Sequence, residues 1–402
     1  MKFFKSFEFI ALIATLMGIS AFGIDAILPA FPAFAQDFAL HGERANDVQL
    51  VVYVFMFGFS IMQLFFGVLA DFFGRKYLLL CGLTVYVMAS VSVLFIDSFQ
   101  ALLWARFWQG VGLAAPRVLT QAVVRDAVSG REMSRIMSFS MIVFLLVPIL
   151  APSIGQLTLS LGNWHSVFYL FVLVGILTFL WVALRLPESL PIENRNPPNM
   201  QRLMAALKTC FTHRPTLVYM LILSAMFSMM MIYIGQAEQI YGSAVYGLGE
   251  KFALAFAVTA LGMVAASVVN AQIVMRLGMH RIAFWALLAM VIGDGFLLVN
   301  ALLFGGKPPL WIFMPLLMFH MFCFSLTMPN LNSLILEPHG AIAGTISAMV
   351  GTIMSVIGLA VAHLVSGQFN GTVFPLAIAW FVLSLLANLG NYYVNRLMRY
   401  MY

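Results

Sequence analysis

Three ionisable side chains interrupt long apolar stretches of this chain and are its strongest candidates for chemistry. Asp25 lies in the first apolar stretch, four residues before Pro29, and Arg106 and Arg117 both lie in the fourth. Burying a charge in hydrocarbon costs several kcal/mol unless something compensates it, so such residues usually mark a pathway for protons, ions or substrate. We therefore expect Asp25 to bind and release a proton, and both arginines to face the protein interior.

Two settings stay open for Asp25. In the first setting, Asp25 lies on the same helix face as Ala21, Gly18 and Ala14, which precede it at helical spacing. Small residues of this kind line a cavity or permit a close helix contact. In the alternative setting, Asp25 caps a kink at the membrane interface and is in contact with water.

The two arginines predict a polar stripe on the fourth stretch. They are eleven residues apart, almost three helical turns, so both project from one face and are separated by about 16 Å along the axis. Gln121, one turn beyond Arg117, extends the stripe. A stripe of cations cannot face lipid, so it should face the interior or a water-filled cavity. Arg117 either contacts substrate or pins the cytoplasmic ends of helices.

Other polar residues in apolar stretches are weaker candidates. Asn330 and Asn332 follow directly after Pro329, on either side of Leu331, and they are candidates for a substrate cavity because buried amides need partners. Asp294 and His320 are each expected to have a local hydrogen-bonding role. A proton relay is the less favoured role for His320.

The composition places these residues in a membrane protein. The chain is 62% hydrophobic and 9% charged, whereas a soluble domain has about 25% charged residues. The apolar stretches are continuous, which favours helices over the alternating strands of a barrel. Twelve stretches have the length of a membrane span, near residues 7–28, 48–70, 77–96, 99–124, 136–160, 165–184, 216–237, 251–275, 282–303, 309–336, 341–366 and 372–395.

Charge and cysteine content indicate the membrane orientation and limit the kinds of partner and site that we expect. Most of the 21 Lys and Arg residues fall at one face of the predicted bundle, so both termini are predicted to be cytoplasmic. The net charge of +6 follows from that bias and gives no reason to expect a nucleic-acid partner. The three cysteines are widely separated and indicate neither a disulfide framework nor a metal site. The first stretch is too long for a signal peptide, and we expect it to be retained.

A polar segment divides the chain. Residues 187–215 are rich in Pro, Asn and Glu at their start, and residues 199–211 predict a short amphipathic helix on the cytoplasmic surface. The predicted domains are therefore a six-helix bundle over 1–186, a linker over 187–215 and a second six-helix bundle over 216–402. Gly74 and Gly278 lie in similar basic turns 204 positions apart, which indicates two tandem halves.

The turn that begins at Gly67 carries a family resemblance. It reads Gly-Val-Leu-Ala-Asp-Phe-Phe-Gly-Arg-Lys, and the pattern Gly-x-x-x-Asp-x-x-Gly-Arg-Lys resembles the loop between helices two and three of the major facilitator superfamily of transporters. The family usually has a basic residue where this chain has Phe72. Glycines let helix ends approach closely, and the Asp can accept hydrogen bonds from a helix terminus or a basic side chain. A gating role is therefore implied for Gly67, Asp71, Gly74 and Arg75.

Two further motifs extend the resemblance. From Arg106 the chain reads Arg-Phe-Trp-Gln-Gly-Val-Gly, similar to the superfamily pattern Arg-x-x-Gln-Gly-x-Gly, whose Arg is implicated in proton coupling. From Pro148 it reads Pro-Ile-Leu-Ala-Pro-Ser-Ile-Gly, which resembles the antiporter motif of helix five with Ala151 and Gln156 in place of two glycines. Proline removes a backbone hydrogen bond and permits a bend. Gating is implied for Pro148, Pro152 and Gly155.

Together with the run from Asp25 to Pro32 and the run from Ala122 to Asp126, these motifs are most similar to the bicyclomycin/chloramphenicol-resistance (Bcr/CflA) branch of drug:proton antiporters. The resemblance implies a monomeric exporter of small amphiphilic molecules in the bacterial inner membrane. It would be driven by the proton gradient without a cofactor and would work by alternating access between two six-helix bundles. The superfamily lines its cavity with helices one, four, seven and ten. Glu238, at the outer end of the seventh, thus becomes a candidate cavity residue, with a solvated helix end as the alternative.

Other functions compete with export. A proton-driven importer of a polar or anionic metabolite, or of a siderophore-like chelate, keeps the fold and suits Arg117 and Gln121. A non-transporting sensor or scaffold is disfavoured, because such proteins usually carry a soluble signalling domain and we expect no segment of this chain to be long enough for one. An enzyme is disfavoured, because no nucleophile, base and acid converge in the sequence.

Overall fold

The computed structural model describes residues 7–128, 130–195 and 200–399, and every regular element in these ranges is helical. The expected all-α class is confirmed. The α-helices before the polar linker are α1 (Phe7–Asp25), α2 (Phe31–Asp37), α3 (Leu50–Phe73), α4 (Arg75–Ser92), α5 (Phe99–Ala127), α6 (Gly130–Ser160) and α7 (His165–Arg185). Helix α8 (Met200–Thr212) lies within that linker, where the sequence predicts a short helix, and it is followed by α9 (Arg214–Ala237), α10 (Phe252–Leu277), α11 (Met279–Leu303), α12 (Leu310–Leu336), α13 (Ala343–Ser366) and α14 (Phe374–Arg399).

The helices form two compact units, Met1–Met200 and Gln201–Tyr402. In the first unit, α5 packs against α3 and α4, α1 packs against α6, and α4 packs against α7. In the second unit, α12 packs against α10 and α11, α9 packs against α13, and α11 packs against α14. The same set of neighbours, taken in chain order, therefore occurs twice.

Ten helical segments within the described ranges are long and apolar enough to cross a membrane. Helix α5 is not among them, because Arg106, Gln109 and Arg117 lower its hydropathy although its 29 residues would suffice in length. From α6, the stretch Leu146–Ser160 is a shorter apolar helix. The protein is thus a multi-pass, all-helical membrane protein.

Two glycine turns show the internal repeat in the backbone itself. Gly74 joins α3 to α4 with φ 96° and ψ 160°, and Gly278 joins α10 to α11 with φ 78° and ψ 155°. A positive φ of this kind is open to glycine and strained for other residues. The two basic turns predicted from the sequence to be equivalent therefore have the same conformation.

Close helix crossings repeat at the same spacing. A Cβ at Gly58 of α3 would collide with the carbonyl oxygen of Phe107 in α5, and a Cβ at Gly262 of α10 would collide with that of Met318 in α12. Gly58 and Gly262 are again 204 positions apart. The crossing of α3 with α5 is thus matched by the crossing of α10 with α12.

The packing of helix α5 requires glycine at its crossings, whereas Gly67 at the start of the basic turn motif has room for a side chain. A Cβ at Gly110 would collide with the Phe55 carbonyl oxygen of α3, and one at Gly82 of α4 would lie 2.7 Å from the Gly112 carbonyl oxygen. At Gly67, by contrast, the nearest atom to an added Cβ is a Val118 methyl 3.8 Å away, an ordinary contact. Gly67 therefore permits no unusually close helix approach, contrary to the expectation from the sequence.

Replacing Gly110 by Ala should lower the stability of the protein, because the new methyl group must push apart the backbones of α3 and α5. Overpacking of this kind costs about 1–3 kcal/mol. The matched control is Gly67→Ala, where there is room for the methyl group. Thermal unfolding of both purified variants in detergent measures the difference, and equal melting temperatures would contradict the packing argument.

Candidate functional site

The guanidinium group of Arg106 is the centre of a buried polar cluster in the first unit. The side chain is fully buried. Its Nε donates to the Val51 carbonyl of α3 at 3.0 Å, its Nη2 to the Gly23 carbonyl of α1 at 2.9 Å, and its Nη1 to Gln109 Oε1 at 2.7 Å. The Phe55 ring lies 4.5 Å from the guanidinium carbon, at cation–π distance. The charge is thus held by backbone dipoles, an amide and an aromatic face.

Gln109 extends the cluster to a fourth helix. Its Nε2 donates to Ser90 Oγ in α4 at 2.9 Å, and this hydroxyl donates to the Tyr86 carbonyl at 2.7 Å. The Arg-x-x-Gln spacing places both side chains on one face of α5, one turn apart. The cluster therefore connects α1, α3, α4 and α5 through side chains of α5.

Asp25 is the last residue of α1 and is only 5% exposed. Its burial contradicts the alternative of a water-exposed kink. The next residue, Ala26, presents its carbonyl oxygen to α6 at Gly155, where a Cβ would collide with it. The predicted antiporter motif of α6 thus packs on the backbone where α1 ends.

Asp25 and Arg106 are held near each other through the backbone but are not paired. Arg106 binds the carbonyl of Gly23, two residues before Asp25. Among the residues that the structure describes, no salt bridge joins the Asp25 carboxylate to a cation. The arginine therefore contacts the backbone of the segment that carries the carboxylate, and the carboxylate itself has no ionic partner there.

Arg117 differs from Arg106 in its surroundings. Its guanidinium carbon lies 5.2 Å from the centre of the Phe144 ring in α6, and its Nη1 is buried without a hydrogen-bond partner in the described part of the chain. Gln121 is exposed. In the predicted stripe, each guanidinium nitrogen of Arg106 therefore donates a hydrogen bond, whereas the Arg117 Nη1 has no acceptor among the described residues.

The two prolines of the predicted antiporter motif lie inside α6. Pro148 and Pro152 are both within its helical range, Gly130–Ser160. Helix α6 therefore continues past both prolines, and Gly155 follows them at its contact with α1.

The basic turn forms an ionic cluster. Arg75 is only 3% exposed, and its Nη1 lies 2.8 Å from Asp71 Oδ1 while its Nε donates to Asp126 Oδ2 at 3.0 Å. Asp126 ends the Ala-Val-Val-Arg-Asp run of α5. The predicted acceptor role of Asp71 towards a basic side chain is present in the structure, and Arg75 bridges the end of α3 to the end of α5.

Glu188 is a member of this cluster that sequence analysis missed. Its carboxylate accepts hydrogen bonds from the backbone N–H of Arg75 at 2.9 Å and of Lys76 at 3.2 Å, and so it caps α4. A Cβ at Gly74 would lie 2.6 Å from Glu188 Oε2, so glycine is needed there for space as well as for φ. Glu188 lies at an exposed position of the polar linker and still binds this helix end. The available signal was that α4 begins without a Ser, Thr, Asp or Asn cap.

Glu238 lies in a π-helical turn, Glu238–Ser243, that follows α9. It is only 5% exposed, and Ser243 Oγ donates to its Oε2 at 3.3 Å. The alternative of a solvated helix end is therefore wrong. Wide π-turns often occur at functional sites.

The two asparagines of α12 have different environments. Asn330 is buried, and its Nδ2 donates to Asn270 Oδ1 in α10 at 2.8 Å. Asn332 is exposed, and its Nδ2 donates to a carbonyl of its own helix, that of Met328, at 3.1 Å. The expected buried setting thus holds for Asn330 and is wrong for Asn332.

A sequence model of the Major Facilitator Superfamily matches residues 13–363. The chain belongs to this superfamily. It is therefore a membrane transporter and not an enzyme, and the resemblance seen in the basic turn and the Arg106 motif is confirmed.

Three known proteins are similar to this chain over nearly its whole length. A bicyclomycin resistance protein homolog of Haemophilus influenzae is 29% identical, covering 95% of this chain and 96% of its own. An uncharacterized transporter of the superfamily from Bacillus subtilis, YdgK, is 28% identical, covering 94% of each chain. The solved D-xylose–proton symporter has a TM-score of 0.75 at 15% identity, covering 96% of this chain and 97% of its own, which is a likeness of fold.

Replacing Arg106 by Lys should destabilise this superfamily member, since a lysine lacks the planar fork that reaches three acceptors at once. Each buried acceptor left without a donor costs about 1–3 kcal/mol. The matched control is Arg125→Lys, an exposed position of the same helix. Thermal unfolding in detergent measures both, and an Arg106→Lys variant as stable as the control would refute the assigned hydrogen bonds.

Replacing Glu188 by Ala should remove the cap of α4 and cost about 1 kcal/mol. Glu188→Gln retains an acceptor oxygen and should lose less. Glu193→Ala, at an exposed position of the same linker, serves as the control. If the melting temperatures of the Glu188 and Glu193 variants fall by equal amounts, Glu188 has no capping role.

Proposed function

We propose that this transporter exports small amphiphilic molecules in exchange for protons by alternating access. The proposal places it in the bacterial inner membrane as a monomer that needs no cofactor. Two six-helix bundles, 1–186 and 216–402, would be joined by the linker 187–215. Its substrate would be a small molecule, and its energy source the proton gradient.

The proposed topology has twelve spans. Helix α5 has 29 residues and α6 has 31, and both are long enough to cross the bilayer in addition to the ten apolar segments. The polar side chains that lower the hydropathy of α5 are mostly buried against neighbouring helices. With an even number of spans and the predicted excess of Lys and Arg at one membrane face, both termini would be cytoplasmic.

The observation that carries the proposal is the buried Asp25 carboxylate beside the contact of α1 with α6. A buried carboxylate without a cation is costly, so it favours binding a proton until water or substrate reaches it. Gly155 lets α6 lie directly on the Ala26 carbonyl. A movement of α6 away from α1 would hydrate Asp25 and favour proton release. The proton gradient supplies about 2.3 kcal/mol per charge at 100 mV, plus any pH difference.

Relatives support the direction of transport. The Haemophilus influenzae protein is named for resistance to bicyclomycin, and resistance of this kind is consistent with export of a small molecule. Two residues of the predicted cavity, Glu238 and Asn330, are buried in the second unit and would contribute polar contacts there.

Import of an anionic metabolite is the second candidate, and Arg117 is the observation that favours it. Its Nη1 has no hydrogen-bond partner in the described residues. An arginine with a free donor suits a carboxylate or phosphate better than a cationic drug. Counterflow of labelled anionic and cationic compounds in proteoliposomes, with a pH gradient of either sign, separates the two functions.

Replacing Asp25 by Asn should abolish transport driven by a pH gradient, because the amide cannot carry the proton. Transport is measured as substrate-dependent pH change in inverted vesicles. The matched control is Asp97→Asn, an exposed carboxylate between α4 and α5. Full pH-driven transport by the Asp25→Asn variant would remove Asp25 from the coupling role.

A further inference from the structure

The second unit contains a buried acid–base pair that the proposed function does not use. His320 of α12 lies with its Nδ1 2.7 Å from Asp294 Oδ1 of α11, and the two residues are 2% and 1% exposed. The indole of Trp380 in α14 stacks on the imidazole with ring centres 3.6 Å apart. The Trp380 Nε1 donates to the Met229 carbonyl of α9 at 3.0 Å. The pair is thus enclosed by helices on several sides.

From the sequence alone, Asp294 and His320 are expected to have separate local hydrogen-bonding roles, and no partner is predicted for Asp294. The structure makes them partners across two helices. A second feature is that Asp294 Oδ2 and His320 Nε2 are buried without a hydrogen-bond partner among the described residues. Buried polar atoms of this kind are uncommon and require an explanation.

The internal repeat shows what the pair replaces. Asp294 lies 204 positions after Ser90, the same spacing that relates the two turn glycines. His320 lies two residues after the α12 carbonyl that meets the α10 glycine, and Gln109 lies two residues after the α5 carbonyl that meets the α3 glycine. The His320–Asp294 contact therefore occupies the place of the Gln109–Ser90 hydrogen bond. A neutral pair in one unit corresponds to a titratable pair in the other.

The Gln109–Ser90 and His320–Asp294 contacts differ in the charges that surround them. In the first unit Arg106 lies one turn before Gln109, so a fixed positive charge is always present. The residue one turn before His320 is Leu317, which is fully buried. In the described part of the chain no arginine or lysine forms a salt bridge with Asp294, so its charge is balanced only when the pair holds one extra proton. Burial strongly disfavours an unbalanced charge.

We propose that Asp294 and His320 form a second proton-binding site, which takes up and releases one proton as a unit. In the loaded state the pair is neutral overall, as imidazolium with carboxylate or as imidazole with carboxylic acid. Release of the proton to water leaves imidazole and carboxylate with one negative charge. The unpaired Oδ2 and Nε2 atoms are the positions at which the proton enters or leaves.

Other groups face the pair from the neighbouring helices. Cys323, three residues after His320 in α12, is close enough to Asp294 to interact with it electrostatically. From α9, the Tyr233 ring packs 6.2 Å from the Trp380 ring. From α14 comes the Trp380 indole, which does not titrate. The titration measured for the pair therefore includes any influence of the Cys323 thiol and the Tyr233 phenol.

Infrared spectroscopy of the purified full-length protein in lipid, stepped from about pH 5 to about pH 9, tests the proposal. The wild-type protein should show a pH-dependent carboxyl and imidazole signal that is lost in Asp294→Asn. The Asn oxygen still accepts the hydrogen bond from the His320 Nδ1–H, so a purely structural role would survive this change. His320→Asn, which keeps an N–H donor toward Asp294, should lose the imidazole part of the signal.

Two controls separate this site from the proposed coupling residue. Asp25→Asn should keep the signal of the pair, and Trp380→Phe should keep it because no titratable atom is removed. An unchanged signal in a folded Asp294→Asn protein would overturn the proposal, and so would its loss in Asp25→Asn.

A role of the pair in transport rests on the proposed function and has its own readout. In proteoliposomes, Asp294→Asn should shift or flatten the pH profile of gradient-driven transport and leave counterflow near the wild-type rate. If the wild-type protein transports without any dependence on the pH gradient, the proposed function fails, whereas the infrared signal of the pair still decides whether it binds a proton. An unaltered pH profile in Asp294→Asn overturns the transport role.

Discussion

The hydrogen bonds from Arg106 to the Gly23 and Val51 carbonyls hold the first unit together at its most polar point. A guanidinium without water must satisfy its donors within the protein, and two of the acceptors here are backbone atoms of other helices. Those carbonyls can reach the arginine only because the helices cross closely. The glycines of α5 and its neighbours are therefore conditions for solvating the charge as well as for packing.

That constraint extends to the end of α1. Arg106 holds the carbonyl of Gly23, and α6 lies on the carbonyl of Ala26. Asp25 stands between these two contacts, one made by a fixed charge and the other by a glycine without a side chain. The contact through hydrogen bonds is the harder one to break, since breaking it exposes a buried cation. The contact at Gly155 rests on packing alone, so a movement that changes the surroundings of Asp25 costs less there.

The sequence predicted those parts of the structure that side-chain chemistry determines. Long apolar stretches predicted the helices, and the Arg-x-x-Gln-Gly-x-Gly run marked the buried cluster with the correct residues of α5. The sequence did not predict the backbone acceptors of Arg106, because every residue has a backbone carbonyl and no residue type marks the one that is used. Glu188 was missed for a related reason, since its partners are backbone N–H groups and its surroundings in the chain are polar. The partner of Asp294 lies 26 residues away on another helix, a distance over which helical periodicity carries no information.

The internal repeat explains why repeated geometry need not mean repeated chemistry. Both units place a polar contact between equivalent helices, as Gln109 with Ser90 and as His320 with Asp294. The first contact sits beside a permanent positive charge and can be neutral itself. The second has Leu317 where the first has Arg106, so its net charge depends on a proton. The same backbone arrangement thus supports a group of fixed charge, Arg106, in one unit and a group of variable charge, the His320–Asp294 pair, in the other. The difference arises from a few side chains and requires no change in how the helices cross.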